Sequence, residues 1–505
     1  MLQRGPLARR SSIRRMNCAR RLLLRLVSAG VYMKSLAILG ACLFLSGEIG
    51  AQRASTPNER PLVINHVTVI DSTGAPPRQN VSVVIVGDRI KSIVVDSESK
   101  FTPDVKIVDG TGKFLIAGLW DMHVHALSKG QPDRFFPLFV ANGVTGIRDM
   151  GGDIPLSQIA ELKKENSSCT RLGPEIFAAG PILEGEHPFW PFSVSVKNPE
   201  DARKRVDQLV EEKADFLKVY NTLSRESYLA IAAEAKAKRF PFAGHIPDGV
   251  SPSEASEFGQ RSIEHLWGIP NYLSSESEHL AKMIAEANDT EDAKIARDLY
   301  YKINQTILKT YDSKKAERLF QEFVSQGTWQ TPTLVILRSY AKIHDPEVQK
   351  DSRIAYMPRE LLNLWNSMGG SPDQRNDEIQ MRLFERDLEI VRAMHVANVP
   401  ILAGTDTPNP YTYPGFSLHE ELELLVESGL SSMEALQTAT LRAAQFLGVE
   451  NSFGSVEEGK IANLVLLDKN PLVDIRNTKS IRAVVVRGRF LDRDELNKVL
   501  NQQKN

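Results

Sequence analysis

Residues 117–130 read AGLWDMHVHALSKG, and the interpretation of the whole chain starts from this stretch. Its first part is apolar, which is typical of a buried strand, and it runs directly into His123 and His125. In a strand, residues i and i+2 point to the same side. The two imidazoles therefore project together, an arrangement that suits a divalent metal ion. The alternative is a pair of ordinary loop histidines, and the rest of the sequence has to separate the two interpretations.

Strand-like segments alternate with helix-like segments through the middle of the chain. SPSE at 251–254 has the cap, proline and glutamate of a helix start, and residues 199–213 have a helical pattern. The long intervals 268–327 and 336–398 predict helical elaborations near the mouth of a site. Seven segments after the first resemble strands: 144–150, 175–181, 214–220, 240–246, 261–267, 328–335 and 399–406. Eight strands with helices between them predict an α/β fold, a (β/α)8 TIM barrel over residues 117–440.

Both ends of the chain have a different pattern of apolar and polar residues. Residues 61–117 alternate apolar and polar positions around Gly and Asp, which indicates short strands joined by turns. ANLVLLD and IRAVVVRGRFL, near the C-terminus, have the same pattern. This matching character predicts one small β-sandwich domain, built from residues 52–116 and 441–505, beside the barrel.

The N-terminus, residues 1–51, has the features of a targeting segment. KSLAILGACLFLSG at 34–47 gives a charge followed by a short apolar run, and Gly50-Ala51 offers small residues for cleavage. The run is too short for a comfortable membrane span. We therefore expect an exported protein, periplasmic or secreted, with no stable membrane span once the leader is removed. An organelle transit peptide and a lipid anchor at Cys42 are the alternatives.

Charge and cysteine content narrow the class of protein. The formal net charge is −1, but residues 1–51 hold nine of the 62 basic residues and one of the 63 acidic ones, so the remainder has a net charge of −9. Such a chain is not expected to bind nucleic acid by electrostatics. Beyond the leader, Cys169 stands alone, so a metal would have to be held by histidines and carboxylates. The sequence is compatible with a homo-oligomer and does not specify one.

Polar residues at the carboxyl ends of the predicted strands indicate one site. A barrel places its functional groups at these ends. The candidates, in strand order, are His123 and His125, Lys218, His245, His265 and Asp406. Each residue alone is weak evidence, because packing, a helix cap or a salt bridge would also explain it. Their combined occurrence at five strand ends favours a metal site.

These residues stand in motifs that resemble those of the amidohydrolase superfamily. The matching motifs are DMHVH at 121–125, DFLKVY around Lys218, AGHIP around His245, SIEHL around His265 and AGTDT around Asp406. Within the superfamily, the chain is most similar to the imidazolonepropionase-like and prolidase-like branch, which includes metal-dependent dipeptidases. The resemblance extends over nearly all of residues 61–490.

The resemblance implies a site with two divalent metal ions. Histidine, carboxylate and carbamate ligands suit zinc, and manganese, iron or cobalt could take its place. His123, His125 and Asp406 would bind the first ion. His245 and His265 would bind the second ion. Histidine must be neutral to bind a metal, so activity is expected to fall in acid.

The resemblance also implies a modified lysine and an acid–base residue. Lys218, carboxylated by CO2 to a carbamate, would bridge the two ions as an anionic ligand. Paired metals lower the pKa of a bridging water, which then serves as the nucleophile. Asp406 would pass the proton from the nucleophile to the leaving amine.

Three further residues are candidates for substrate binding. Tyr220 lies two positions after Lys218 and is a candidate to bond the developing oxyanion or a substrate carboxylate, with a packing role as the alternative. Arg148 is a candidate for a substrate carboxylate, and an ion pair with Asp149 or Asp153 is its alternative. His187 lies in GEHPFWPF and would line the pocket or remain a loop residue.

The predicted function is hydrolysis of an amide bond in a small molecule, a dipeptide or an N-acyl amino acid, by a binuclear metal enzyme. One alternative is a mononuclear hydrolase or deaminase of a cyclic C–N substrate. The deaminases of the superfamily carry His-x-x-Glu on strand five, whereas this chain has His245-Ile-Pro-Asp248. Dipeptidase relatives have a Gly-rich segment with His after strand three, and this chain has PILEGEHPFWPF there. The second alternative is a non-catalytic secreted binding protein.

Overall fold

The computed structural model describes residues 60–95, 104–369 and 373–505. The predicted leader, residues 1–51, lies outside the described residues, and so does its cleavage site. Within the described ranges, no helix is both long and apolar enough to cross a membrane.

Residues 60–95 and 104–117 form five strands, as the alternating pattern predicts. Strand β1 pairs antiparallel with the second strand and parallel with the fourth and fifth strands. The strands are β1 (Leu62–Val69), β2 (Arg78–Val86), β3 (Arg89–Val95), β4 (Lys106–Asp109) and β5 (Phe114–Ala117).

The middle of the chain carries short parallel strands in two sheets. The strands are β6 (Leu119–Val124), β7 (Val144–Asp149), β8 (Glu175–Ala178), β9 (Leu183–Glu184), β10 (Val194–Ser195), β11 (Leu217–Val219), β12 (Phe242–Gly244), β13 (Ser262–Glu264) and β14 (Trp329–Thr331). One sheet has the order β6-β7-β8 and the other the order β10-β9-β11-β12-β13-β14. Seven of the predicted strands are present, and β9 and β10 were not predicted.

The predicted eighth strand, residues 399–406, is not a regular strand. Two isolated parallel bridges stand in its place, Gln330 with Ile401 and Val124 with Thr407. Pro400 has no N–H to donate, and Asp406 has a left-handed backbone with φ 59°, so an extended ladder is interrupted. The segment nevertheless lies between β14 and β6, and the architecture is α/β and TIM-barrel-like.

Helices connect the parallel strands. The predicted start at 251–254 is confirmed, because Ser251 and Glu254 form a reciprocal capping box. The helix predicted over 199–213 is also present, and both long intervals are helical. The helices are α1 (Gln131–Ala141), α2 (Leu156–Ser167), α3 (Pro199–Glu211), α4 (Arg225–Lys238), α5 (Pro252–Glu257), α6 (Ile269–Tyr272), α7 (Ser277–Asp289), α8 (Ala293–Lys309), α9 (Ser313–Gln326), α10 (Leu334–Ala341), α11 (Pro346–Gln349), α12 (Arg359–Gly369), α13 (Gln374–Val396), α14 (Phe416–Glu427), α15 (Ser432–Thr438), α16 (Leu441–Leu447) and α17 (Arg493–Gln502).

Strands from the C-terminal part complete the sheet that begins with β1. They are β15 (Leu464–Leu467), β16 (Ile481–Val486) and β17 (Arg489–Asp492), and the sheet order is β17-β16-β15-β5-β1-β2-β3, with β4 on β1. Alternate residues of β15 face different cores. Val465 and Leu467 pack with the parallel-strand part, whereas Leu464 and Leu466 pack within the sheet's own cluster. The sandwich arrangement and the domain boundaries stay predictions.

Candidate active site

The two histidines of the opening stretch lie at the carboxyl end of β6, where the sequence predicts a site. His123 is buried, and His125 is half-buried. His123 Nδ1 lies 2.7 Å from a carboxylate oxygen of Glu264. His125 Nδ1 lies 2.8 Å from the carbonyl oxygen of Gly151. Because an acceptor faces each Nδ1, that nitrogen carries the proton, and the Nε2 lone pairs are left to bind a ligand.

Asp406 completes a compact group with these histidines. Its Oδ1 atom lies 3.3 Å from His123 Nε2 and 3.3 Å from His125 Nε2. Gly404 allows this approach, because a Cβ atom at that position would lie 2.8 Å from the Cβ of His123. The ligand atoms of His123, His125 and Asp406 all lie within 4.8 Å of one another, close enough to hold one metal ion.

Lys218, His245 and His265 lie beside this group on β11 and directly after β12 and β13. The His265 ring centroid is 4.4 Å from that of His123 and 5.0 Å from that of His245. His265 Nε2 lies 4.0 Å from Asp406 Oδ2, and His265 Nδ1 lies 2.6 Å from the Thr333 hydroxyl. The structure therefore brings the predicted ligands of both groups into one contiguous site.

Several buried polar atoms in this site form no hydrogen bond with the described residues. They are His123 Nε2, Lys218 Nζ, His245 Nδ1 and Asp406 Oδ1. A buried polar atom without a partner costs free energy, so native proteins rarely leave one. Four such atoms together, from imidazoles, a carboxylate and an amine, form a donor set that fits divalent metal ions once the amine is neutral or carboxylated.

Burial and the contacts with Asp406 together set the protonation of the site. Burial alone would lower the pKa of His125, but the contact with Asp406 raises it above the ordinary value. Burial, together with the nearby ammonium of Lys218, holds the pKa of His245 well below its ordinary value. Burial also holds the pKa of His265 well below that value, and it lowers the pKa of Lys218 to about 8. Burial alone would raise the pKa of Asp406, but the neighbouring His265 imidazole and the contacts with His123 and His125 hold it well below the ordinary range. Neutral imidazoles beside a carboxylate are the forms that bind metal.

Arg148 does not face a substrate, contrary to the sequence-based expectation. Its guanidinium is buried and donates to both Glu264 oxygens, at 2.9 and 3.0 Å. It also donates to the Met122 carbonyl oxygen at 2.6 Å and to the Ser262 hydroxyl at 2.9 Å. The alternative of an ion pair is correct, but the partner is Glu264 and not Asp149 or Asp153. The Arg148 guanidinium holds the pKa of Glu264 below the ordinary range despite the burial of that carboxylate.

Tyr220 lies inside the site, whereas His187 is exposed. The Tyr220 ring stacks on the His245 ring with centroids 4.3 Å apart. Its hydroxyl oxygen accepts a hydrogen bond of 3.1 Å from the Trp190 indole, which directs the hydroxyl proton to a different group. His187 stands on the loop between β9 and β10 with its side chain in solvent. The pocket-lining role predicted for His187 is not what this geometry favours.

A sequence model of the amidohydrolase family matches residues 114–491. The chain belongs to the amidohydrolase family. This amidohydrolase is 22% identical to ochratoxinase of Aspergillus niger over 474 residues, which cover 85% of this chain and 86% of that protein. A stretch of 87 residues is 38% identical to imidazolonepropionase of Pseudomonas savastanoi pv. phaseolicola, covering 17% of this chain and 21% of that protein. A solved Xaa-Pro dipeptidase with bound methionine aligns with a TM-score of 0.60 at 20% identity, over 86% of this chain and all of that chain.

Family membership makes the chain an enzyme, a hydrolase that acts on carbon–nitrogen bonds. The resemblance stated from the motifs is thereby confirmed. The alternative of a non-catalytic binding protein is set aside. The family is generally metal-dependent, in agreement with the His123, His125 and Asp406 group.

The sequence analysis did not predict the roles of three buried carboxylates in this amidohydrolase. Glu264 orients His123, as described above. Asp121 accepts from the Thr405 amide at 3.0 Å and from its hydroxyl at 2.7 Å, which fixes the segment that carries Asp406. Asp149 accepts from the amides of Ala126 and Leu127 and so holds the loop after β6. The available signal was an acidic residue inside an apolar strand, which is costly unless it is paired.

Proposed function

We propose that this amidohydrolase is a binuclear metal enzyme that hydrolyses the amide bond of a dipeptide or an N-acyl amino acid, in the manner of a prolidase. The single observation that carries the proposal is the set of buried, partner-free atoms on His123, Lys218, His245 and Asp406. A single ion held by His123, His125 and Asp406 would leave the Lys218 amine and His245 Nδ1 without partners. A second ion would supply a partner for His245 Nδ1 and for Lys218 once its amine is neutral or carboxylated.

In this proposal His123, His125 and Asp406 hold one ion, and His245 and His265 hold the other. When bound, such ions, which we expect to be zinc, lower the pKa of a water molecule and polarise a carbonyl group. The proposal is supported by the partners of His123 and His265, since Glu264 and Thr333 fix the orientation of the two rings.

Lys218 is proposed to carry a carbamate that bridges the ions. Burial favours this, because a pKa near 8 leaves a sizeable neutral fraction of the amine at neutral pH. The neutral amine adds to the carbon of CO2, and one proton is released to solvent. The product is an anionic ligand with two oxygens, whereas an ammonium group would repel a cation.

We propose that Asp406 transfers a proton during hydrolysis and that Tyr220 stabilises the negative charge that develops on the substrate. Asp406 is held as a carboxylate, so it can accept a proton from the attacking water as the C–O bond forms. The same group then delivers the proton to the amine nitrogen as the C–N bond breaks. Tyr220 lies inside the site, stacked on His245, and we propose that its hydroxyl donates to the oxygen that gains charge.

The test is metal content per chain together with a substrate screen. The protein is purified from cells supplied with zinc and bicarbonate, and hydrolysis of dipeptides and N-acyl amino acids is assayed. We expect near two metals per chain in the wild type and a loss of metal and of most activity in Lys218→Ala. Unchanged activity in Lys218→Ala would refute the bridging role. Lys294→Ala, on the exposed face of α8, is the matched control.

Hydrolysis of a cyclic C–N substrate at a mononuclear site is the second candidate function. It is favoured by the stretch that is 38% identical to an imidazolonepropionase. Asp248, which replaces the glutamate of the deaminases, is exposed and accepts from Asn288 of α7 at 3.3 Å. Near one metal per chain, with full activity in Lys218→Ala, would support this second candidate.

We also propose a closed (β/α)8 barrel beside a β-sandwich. The bridges of Ile401 and Thr407 support closure on one side. On the other side, the Asp215 amide donates to the carbonyl oxygen of Ala178 at 2.9 Å, which links the end of β8 to the residues before β11. We retain export as a proposal on the basis of the leader sequence.

A further inference from the structure

Four aromatic side chains form a continuous arc around the proposed metal site. We call Phe192, Trp190, Tyr220 and Trp267 the aromatic arc. Phe192 lies 6.5 Å from His125, ring centroid to ring centroid, and stacks on Trp190 at 5.6 Å with an interplanar angle of 18°. The arc therefore starts beside the first group of proposed ligands.

The arc continues to the second group of proposed ligands. Trp190 donates to the Tyr220 hydroxyl, and Tyr220 stacks on one face of His245. Trp267 stacks on His245 at 4.5 Å with an interplanar angle of 15°. Aromatic rings thus border both groups, with His245 between Tyr220 and Trp267.

The loop that carries Trp190 and Phe192 is fixed in place by a buried carboxylate. Glu184, at the end of β9, accepts from the Phe189 amide at 2.7 Å and from the Ser193 hydroxyl at 2.6 Å. It also accepts from the Trp190 amide at 3.3 Å. A loop held by three bonds to one buried acid presents its aromatic rings without a large ordering cost on binding.

The burial of the arc indicates a surface for ligand contact. All four residues of the arc are half-buried, although the histidines they touch are buried or, for His125, half-buried. Large aromatic side chains that keep part of their surface open beside buried polar groups are typical of ligand pockets. The faces of aromatic rings are electron-rich, so the arc favours a planar apolar group over an anionic one.

We propose that the aromatic arc makes this enzyme selective for amides that carry an aromatic group next to the scissile bond. This inference rests on the proposed function and specifies its substrate class. It is carried by the rings of Trp190 and Phe192, which the segment PILEGEHPFWPF at 181–192 places beside His125 and Tyr220. Stacking and apolar burial of one ring predict a preference on the order of 10- to 100-fold in kcat/KM.

The experiment compares two matched pairs of substrates with the wild-type enzyme. N-benzoylglycine and N-acetylglycine differ on the acyl side, and N-acetylphenylalanine and N-acetylalanine differ on the amine side. A preference of about tenfold or more for the aromatic member of either pair supports the inference and assigns the side. Equal kcat/KM values within both pairs overturn the inference and leave the proposed function intact.

Variants tie the preference to the arc. Trp190→Ala and Phe192→Ala are expected to lose most of the preference, whereas Trp190→Phe, which keeps an aromatic ring, retains it. Phe490→Ala removes a half-buried ring from β17, in the other part of the molecule, and is the matched control. If both alanine variants keep the full preference, the arc does not select the substrate.

A binding measurement separates this inference from the proposed function. Benzamide and acetamide are titrated into the full-length protein by calorimetry, and circular dichroism checks that each variant is folded. If none of the four substrates is hydrolysed, but benzamide binds about tenfold more tightly than acetamide and loses this advantage in Trp190→Ala, the arc stands and the proposed function fails. Equal affinities for benzamide and acetamide would overturn the proposed selectivity of the aromatic arc.

Discussion

His123 and His419 are both buried histidines, but the regions around them differ. His419, on α14, packs at the interface with the C-terminal part, where Nε2 lies 3.0 Å from the Asn142 carbonyl oxygen and Nδ1 lies 2.9 Å from the Thr478 hydroxyl. Both of its nitrogens are occupied by the protein. His123 has one nitrogen occupied by Glu264, and Nε2 forms no hydrogen bond. Burial therefore does not separate a structural histidine from a ligand, whereas the completeness of its hydrogen bonds does.

Asp406→Asn gives the largest effect that this contrast predicts. Asparagine tolerates the left-handed backbone of residue 406 and keeps the shape of the side chain, but it cannot accept the proton from the attacking water. We expect turnover to fall about a thousandfold. The measurement is kcat with an N-acyl amino acid substrate, alongside metal content. Asp298→Asn, an exposed carboxylate on α8, should leave kcat unchanged, and wild-type turnover in Asp406→Asn would remove Asp406 from catalysis.

Glu264→Gln tests whether the region around His123 is prepared for a ligand. Glutamine can still accept a hydrogen bond from His123 Nδ1, but it lacks the negative charge of Glu264. That charge makes the His123 imidazole a stronger metal ligand, and it is also the charge that Arg148 neutralises. We expect the affinity for the first metal to fall about 10- to 100-fold, as measured by competition with a chelator. Ser262→Ala removes the hydroxyl that accepts from Arg148 and donates to Glu264, and it leaves the contact between Glu264 and His123 in place. Equal losses in the two variants would show that packing, not orientation of His123, explains the effect.

His419→Gln tests the opposite region. Burial lowers the pKa of His419 to about 4, so between this value and the ordinary pKa near 6.5 the unfolded chain binds a proton that the folded chain does not. Stability is therefore lost as pH falls from about 6.5 towards 4, with a slope that approaches about 1.4 kcal/mol per pH unit. Glutamine does not titrate, so urea denaturation from pH 4 to 7 should show a shallower slope in the variant. Equal slopes of stability against pH in the wild type and the variant would show that His419 does not cause this pH dependence.

Thr333→Val gives the smallest expected effect. Thr333 is buried and its hydroxyl lies 2.6 Å from His265 Nδ1, and valine keeps the shape while removing this partner. A neutral hydroxyl orients a ring less strongly than a carboxylate, so we expect metal affinity to fall by less than about tenfold. Chelator competition with the two-metal form measures it. If Thr333→Val lost more metal affinity than Glu264→Gln, Thr333 would be the more important of the two residues that orient the histidines.

The site could be predicted from the sequence because it is built on period-two strands and their ends. His123 lies on β6 and His125 directly after it, Lys218 lies on β11, and His245 and His265 directly follow β12 and β13. Asp406 lies in the segment that bridges β14 and β6. What failed was the direction of Arg148. The residue that holds it, Glu264, is 116 positions away on β13, and local periodicity carries no information about such a partner.

The eighth strand shows a different limit of prediction. Residues 399–406 are as apolar as a buried strand, and the pattern is correct about burial. The backbone is interrupted by Pro400 and by the left-handed conformation of Asp406, which the side-chain pattern does not report. The aromatic arc was missed for a third reason, because its members come from separate loops and are recognised only once His245 lies between Tyr220 and Trp267.

The shared sheet of the two chain ends has a consequence for folding during synthesis. β5 ends at Ala117, and its antiparallel neighbour β15 begins at Leu464. At about 5–20 residues per second, a ribosome needs on the order of tens of seconds to make the intervening chain. Throughout that time one edge of β5 has no strand to pair with, and an open edge invites pairing with other chains. We therefore expect the yield of folded protein to depend on translation speed and on chaperones more than its native stability would suggest.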